Sequence, residues 1–193
     1  MSKFRPFWVM LVLLAAFVAL PAHAQLNLPE VPSFQFGISY QYQTHSAFGH
    51  AFHNNGLNED FAVHVADPLT SADWLISGAL EATLAGGFGG ETTGLPRLSA
   101  KSLFVGAGPH FAIENHSRFV PWVHLLAGLE HFRFTQTSTI GSNSAFGFMA
   151  GGGADIKLAP HVAWRLQADY LGTTFQSSLQ SNYSFGSGFV LNF

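Results

Sequence analysis

From Phe34 the chain alternates. In Phe34-Gln-Phe36-Gly-Ile38-Ser-Tyr40-Gln-Tyr42-Gln an aromatic or aliphatic residue occupies every second position, with Gln, Gly and Ser between. A period of two places the large apolar side chains on one face of a strand and the small polar ones on the other. The same pattern recurs to the end of the chain and predicts eight strands, roughly over 34–44, 57–66, 74–85, 99–113, 118–133, 145–158, 162–174 and 183–193. The fourth segment sets Leu103, Val105, Ala107, Pro109, Phe111 and Ile113 against Gly106, Gly108 and His110. The seventh sets Val162, Trp164, Leu166, Ala168 and Tyr170 against Arg165, Gln167 and Asp169. The second and third segments alternate less cleanly.

Each segment is long enough for a tilted membrane strand, which needs about 9–11 residues. Asp67-Pro68-Leu69-Thr70 and Ala159-Pro160-His161 read as short turns, whereas Thr44 to Gly56 and Gly86 to Leu98 read as longer loops rich in Gly, Asn, Thr and His. Short turns at one end and long loops at the other is the pattern of a transmembrane barrel. The predicted fold is therefore all-β, an eight-stranded antiparallel up-and-down transmembrane β-barrel. An even strand count puts both termini at the periplasmic end, and closure removes the sheet edges that lipid cannot satisfy.

Composition strengthens this reading. Charged residues make up only 10% of the chain, against about 25% in a soluble domain. Something other than water must face much of the surface, which disfavours a soluble exported ligand-binding barrel with an apolar interior. At the N-terminus, Lys3 and Arg5 precede the apolar run Phe7 to Leu20 and a small-x-small site at Ala22-His23-Ala24. Residues 1–24 thus read as a cleaved signal peptide. Residues 25–33, with Pro29 and Pro32, read as a short periplasmic leader and 34–193 as the barrel domain. Without Lys3 and Arg5 six basic and eleven acidic residues remain, which disfavours nucleic acid as a partner. The sequence contains no Cys, so no disulfide framework supports the fold.

Strand parity sends a polar set inward: Gln35, Gln41, Asp60, His64, Glu81, His110, His124, Glu130, Asp155, Lys157, Arg165, Gln167 and Asp169. An eight-stranded barrel is just wide enough for side chains to fill. The expectation is a luminal plug in which Arg165 and Lys157 pair with Asp155, Asp169, Glu81 or Glu130, with His124 beside them. A narrow channel lined by these groups is the alternative. No cofactor or metal is implied: His45, His50 and His53 read as solvated loop residues rather than Zn²⁺ or Cu²⁺ ligands, because no Cys or close carboxylate completes a shell. Gly86 to Gly90 and Gly151 to Gly153 lack the Lys-Ser/Thr of a phosphate loop and read as a flexible loop and a strand bend. Glu114, His116 and Ser117 contain the residue types of a hydrolytic triad, yet neighbouring strand residues face opposite ways, so no catalytic residue is assigned. No outward His–Ser motif of the sort a lipid-deacylating barrel needs stands out either.

Two stretches carry a family resemblance. Phe185-Gly-Ser-Gly188-Phe189-Val-Leu191-Asn-Phe193 resembles the terminal signal read by the barrel-assembly machinery, with Gly186 where a polar residue is usual. Phe119 to Gly128, Gly147 to Asp155 and Gln167-Ala-Asp169-Tyr170 resemble the outer-membrane protein β-barrel domain family, similar in build to the OmpA transmembrane domain. The resemblance spans about residues 33–193. It implies an eight-stranded barrel, most simply a monomer in outer-membrane lipid of a Gram-negative-type bacterium, but no single activity.

Overall fold

The computed structural model describes residues 31–47, 50–70, 74–91, 98–136, 139–175 and 178–193; the expected signal peptide and most of the leader lie outside them. Eight strands run in chain order: β1 (Phe34–Ala47), β2 (His50–Thr70), β3 (Trp74–Glu91), β4 (Leu98–Asn115), β5 (Phe119–Gln136), β6 (Thr139–Ala159), β7 (Val162–Phe175) and β8 (Ser178–Asn192). Each pairs antiparallel with its neighbour and β8 pairs with β1, so the sheet is a closed up-and-down barrel.

The seam between β1 and β8 runs from Gln35 opposite Asn192 to Thr44 opposite Tyr183. It continues to the last residue: Phe34 N donates to Phe193 O at 3.1 Å and Phe193 N to Phe34 O at 2.9 Å. The rings of Phe34 and Phe193 stack at 5.2 Å, and Phe61 joins them at 4.5 Å from Phe34. Phe185, Phe189, Leu191 and Phe193 all point outward on β8, while Gly188 faces inward opposite Ser39.

The exterior is apolar over the middle of every strand. Leu129 is 62% exposed, Val123 58%, Phe185 59% and Leu80 59%. Such a continuous apolar surface is far beyond what a soluble monomer leaves to water. Opposite it, Gln41, Asp60, Glu81, His110, His124, Glu130, Asp155, Arg165, Gln167 and Asp169 are buried, while Gln35, His64 and Lys157 are half-buried.

Three features differ from the expectation. First, the strands are longer, mostly at the end opposite the termini: Ala47 pairs with His50, and Phe52 to Leu57 pair with Gly86 to Glu91. The described residues 44–47 and 50–56, and those from Gly86 to Glu91, are therefore ladder rather than loop. Their Gly, Asn and His content lowers strand propensity, but cross-strand pairing decides the outcome. Second, Asp67 to Leu69 form the bulged end of β2, with register shifts between His64, Ala66 and Leu69, a usual place for a strand proline. The link at Pro160 and His161 is a turn as expected.

Third, the interior is not uniformly polar. Phe104 is 1% exposed and Leu126 fully buried, and with Ala85, Met149 and Leu171 they form an apolar layer inside the barrel. Glycine makes the room: a Cβ on Gly106 would sit 2.6 Å from the Phe104 ring.

Deleting Phe193 removes two seam hydrogen bonds and a ring stack, which should cost roughly 2–4 kcal/mol. Urea titration of the barrel in lipid vesicles, followed by tryptophan fluorescence, should show this loss. Phe193→Leu keeps the backbone bonds and should cost only about 1 kcal/mol; equal losses would show that the backbone seam is not what the terminal residue supplies.

Candidate functional site in the lumen

The buried charges gather in the half of the barrel nearer the termini. Asp155 on β6 and Arg165 on β7 are cross-strand partners. Arg165 Nε donates to Asp155 Oδ1 at 2.8 Å and its Nη2 to Oδ2 at 2.7 Å. Nη1 reaches across the lumen to Asp60 Oδ1 on β2 at 2.6 Å. The guanidinium also lies 4.6 Å over the ring of Trp122, whose Nε1–H donates to Asp155 Oδ1 at 3.0 Å. Trp122 fits because its β6 partner is Gly153: a Cβ there would fall 2.9 Å from the indole.

Trp122 links this ion group to a second one. The His110 ring stacks on it at 5.1 Å and His124 tilts against it at 5.2 Å. Between the two imidazoles stands Glu81. His110 Nδ1 is 2.7 Å from Glu81 Oε2, and His124 Nδ1 is 3.0 Å from Oε1. On the far side of the ring, His124 Nε2 is 3.2 Å from Asp169 Oδ1. The other oxygen of Asp169 accepts from Gln167 Nε2 and from Ser184 Oγ, both at 3.1 Å. Glu130 lies buried higher in the barrel, with Thr173 as a hydrogen-bond partner.

The expected pairings are therefore met only in part. Arg165 does hold Asp155, and also Asp60. Lys157, however, binds Glu114 Oε2 at 2.8 Å, not an acid of the central group. Glu81 and Asp169 take histidines rather than a lysine or arginine. These partners were out of reach of sequence reasoning because strand stagger, not parity, sets which inward residues share a level.

Glu114 is thus committed to Lys157, and the Ser117 hydroxyl bonds Asn115 Oδ1 at 2.6 Å in an exposed turn, so no triad forms with His116. The side chains of His45 and His50 lie outside the described residues. His53 stacks on Tyr42 with its Nδ1 2.7 Å from the Tyr42 hydroxyl. A His–Ser contact does exist on the outer face, where the sequence reading found none. His131 on β5 and Ser144 on β6 are cross-strand partners, with Nδ1 and Oγ 2.8 Å apart. They lie thirteen positions apart in sequence, so only the register brings them together.

The backbone has solved counterparts. Neisserial surface protein A aligns with a TM-score of 0.67 at 10% identity, covering 83% of this chain and 97% of that one. The fold is that of the small eight-stranded outer-membrane barrels. Ail, the attachment invasion locus protein of Yersinia pestis, aligns at 0.52 and 17% identity over 83% of this chain and 100% of its own. OprG from Pseudomonas aeruginosa aligns at 0.50 and 14% identity over 84% and 97%. No family model and no curated protein matches the sequence. At such identities the likeness is one of fold, and the luminal groups must be read from their own geometry.

Replacing Arg165 by Met leaves Asp60 and Asp155 buried without their cation, and should destabilise the barrel by about 3–5 kcal/mol. The triple variant Arg165→Met, Asp60→Asn, Asp155→Asn should regain most of that in the same urea titration. A triple variant as unstable as the single one would mean that Arg165 acts by filling space and not by neutralising the pair.

Proposed function

We propose that the chain is a monomeric integral protein of the bacterial outer membrane with a non-enzymatic role, structural or in presenting its surface to partners. In this reading it is exported by its signal peptide, and the barrel-assembly machinery inserts it through the Phe185–Phe193 segment. The observation that carries the proposal is an apolar exterior around a lumen closed by side chains at two levels. Near the termini the lumen is occupied by Arg165, Trp122 and their carboxylates; further along, by Phe104, Leu126, Met149 and Leu171. Water and ions would have to break both layers to pass.

In planar bilayers the purified barrel should give no discrete conductance steps, while Phe104→Ala with Leu126→Ala should admit transient ones. Regular steps from the unmodified protein would transfer the reading to a narrow channel.

A second reading rests on His131 and Ser144. Both are exposed on the outer face, and His131 sits one outward position from Arg133, which pairs across β4 and β5 with exposed Lys101. Two like charges placed opposite each other are unfavourable alone and suit the phosphates of an outer-leaflet lipid. A His–Ser contact beside them has the parts of an ester-cleaving dyad, although among the described residues no carboxylate is paired with His131. Overexpression should leave lipid A acylation unchanged; deacylation that Ser144→Ala abolishes would establish the enzyme reading instead.

A further inference from the structure

Glu81, His110 and His124 come from three successive strands, β3, β4 and β5, and all three are buried. One carboxylate oxygen and one ring nitrogen from each histidine lie within 4.8 Å of one another. Donors around a tetrahedral ion at 2.0–2.1 Å stand about 3.3 Å apart, so modest inward rotation of these side chains would enclose one cation. Two imidazoles and a carboxylate form a donor set suited to zinc and other borderline divalent ions, and ill suited to Mg²⁺ or Ca²⁺.

The arrangement behind His124 makes this more than a cluster of ligand types. Metal-bound histidines characteristically give their second ring N–H to a carboxylate, which fixes the tautomer and frees the other nitrogen to coordinate. Asp169 stands on that side of the ring, its Oδ1 3.2 Å from Nε2, and both atoms are buried with no hydrogen-bond partner in the structure. Gln167 and Ser184 hold its other oxygen and keep Oδ1 turned to the ring. With the proton on Nε2, the Nδ1 lone pair of His124 faces a carboxylate oxygen at 3.0 Å. Two lone pairs in that position need a cation between them. His110 is steadied separately by its stack on Trp122.

Charge balance points the same way. Among the described residues six acids are buried (Asp60, Glu81, Glu114, Glu130, Asp155 and Asp169), while Arg165 is the buried cation and Lys157 sits at the edge. Arg165 and Lys157 serve Asp60, Asp155 and Glu114. Glu81 and Asp169 have histidines as their only ionisable partners among the described ion pairs. Buried carboxylates need compensating charge, and a dication at this point would supply it. His110 also borders a cleft of about 10 Å³, the room of one water, which Pro32, His64, Ser77 and Glu114 line at the end of the barrel nearer the termini.

We propose that Glu81, His110 and His124 form a divalent transition-metal site inside the barrel, of the zinc type, with Asp169 as the residue that orients His124. The fourth position is left to water.

The test uses the full barrel in detergent, freed of metal with a chelator and titrated with ZnCl₂ by calorimetry and with Co²⁺ by visible absorption. One ion per chain should bind, with the intense d–d bands of a low-coordinate Co²⁺ site, and Zn²⁺ should raise the urea midpoint of the unmodified protein. E81Q, H110Q and H124Q should lose stoichiometric binding, D169N should weaken it 10–100-fold, and H53Q should leave it intact. Far-UV circular dichroism checks that each variant is folded, and the midpoint shift of the unmodified protein needs no variant at all. Absence of binding by the unmodified barrel would mean that a proton, not a metal, bridges Glu81 and His124, and would overturn the proposal. So would binding that survives H110Q and H124Q but is lost in H53Q.

Discussion

Everything in this molecule depends on one backbone ladder, the pairing of β8 with β1 that ends on the bonds between Phe34 and Phe193. In hydrocarbon an unpaired N–H or C=O costs several kcal/mol, so a sheet with two open edges has no stable place there. Once the ladder is made, alternation does the rest. Each strand must send one side chain out and the next one in, and the chain has so arranged its residues that the outer set is apolar and the inner set can pair with itself.

The inner set solves a packing problem under a severe limit of width. A ring of eight strands leaves room for side chains and little more, and this barrel fills it by setting bulk against glycine. Trp122 lies against Gly153 and Phe104 over Gly106. Trp122 then serves as the platform for three charged or polar groups, the Arg165 guanidinium and the rings of His110 and His124. The two ionic groups of the lumen are thus connected through one indole. The apolar layer of Phe104, Leu126, Met149 and Leu171 separates them from the far end of the barrel.

Much of this was legible in the chain. Strand number, phase and the identity of the inward polar residues follow from a period of two, because a one-residue error would turn every side chain to the wrong face. In β5 the signal fails, since Val120, Trp122 and Leu126 on the inner face are as apolar as Val123 and Leu125 on the outer one. Periodicity cannot separate two apolar faces, so the apolar layer and the central Trp122 stayed hidden. Strand limits were missed where Gly, Asn and His dominate, as between Gly86 and Glu91, because the ladder and not the residue type holds those strands. Side-chain partners were legible only between adjacent strands in near register, as for Asp155 and Arg165. The pairs Arg165 with Asp60 and Lys157 with Glu114 depend on stagger around the ring, and so does the meeting of Glu81 with two histidines.

The central claim is a closed barrel whose apolar face lies in lipid around a filled interior. It is tested most directly by gel migration of the protein recovered from the outer-membrane fraction, with and without heating in SDS. A closed ladder resists SDS until boiled, so the unheated protein should run at a different apparent mass from the heated one and should stay with the membrane in alkaline carbonate. Identical migration of the two samples, from a protein that carbonate extracts, would contradict the account.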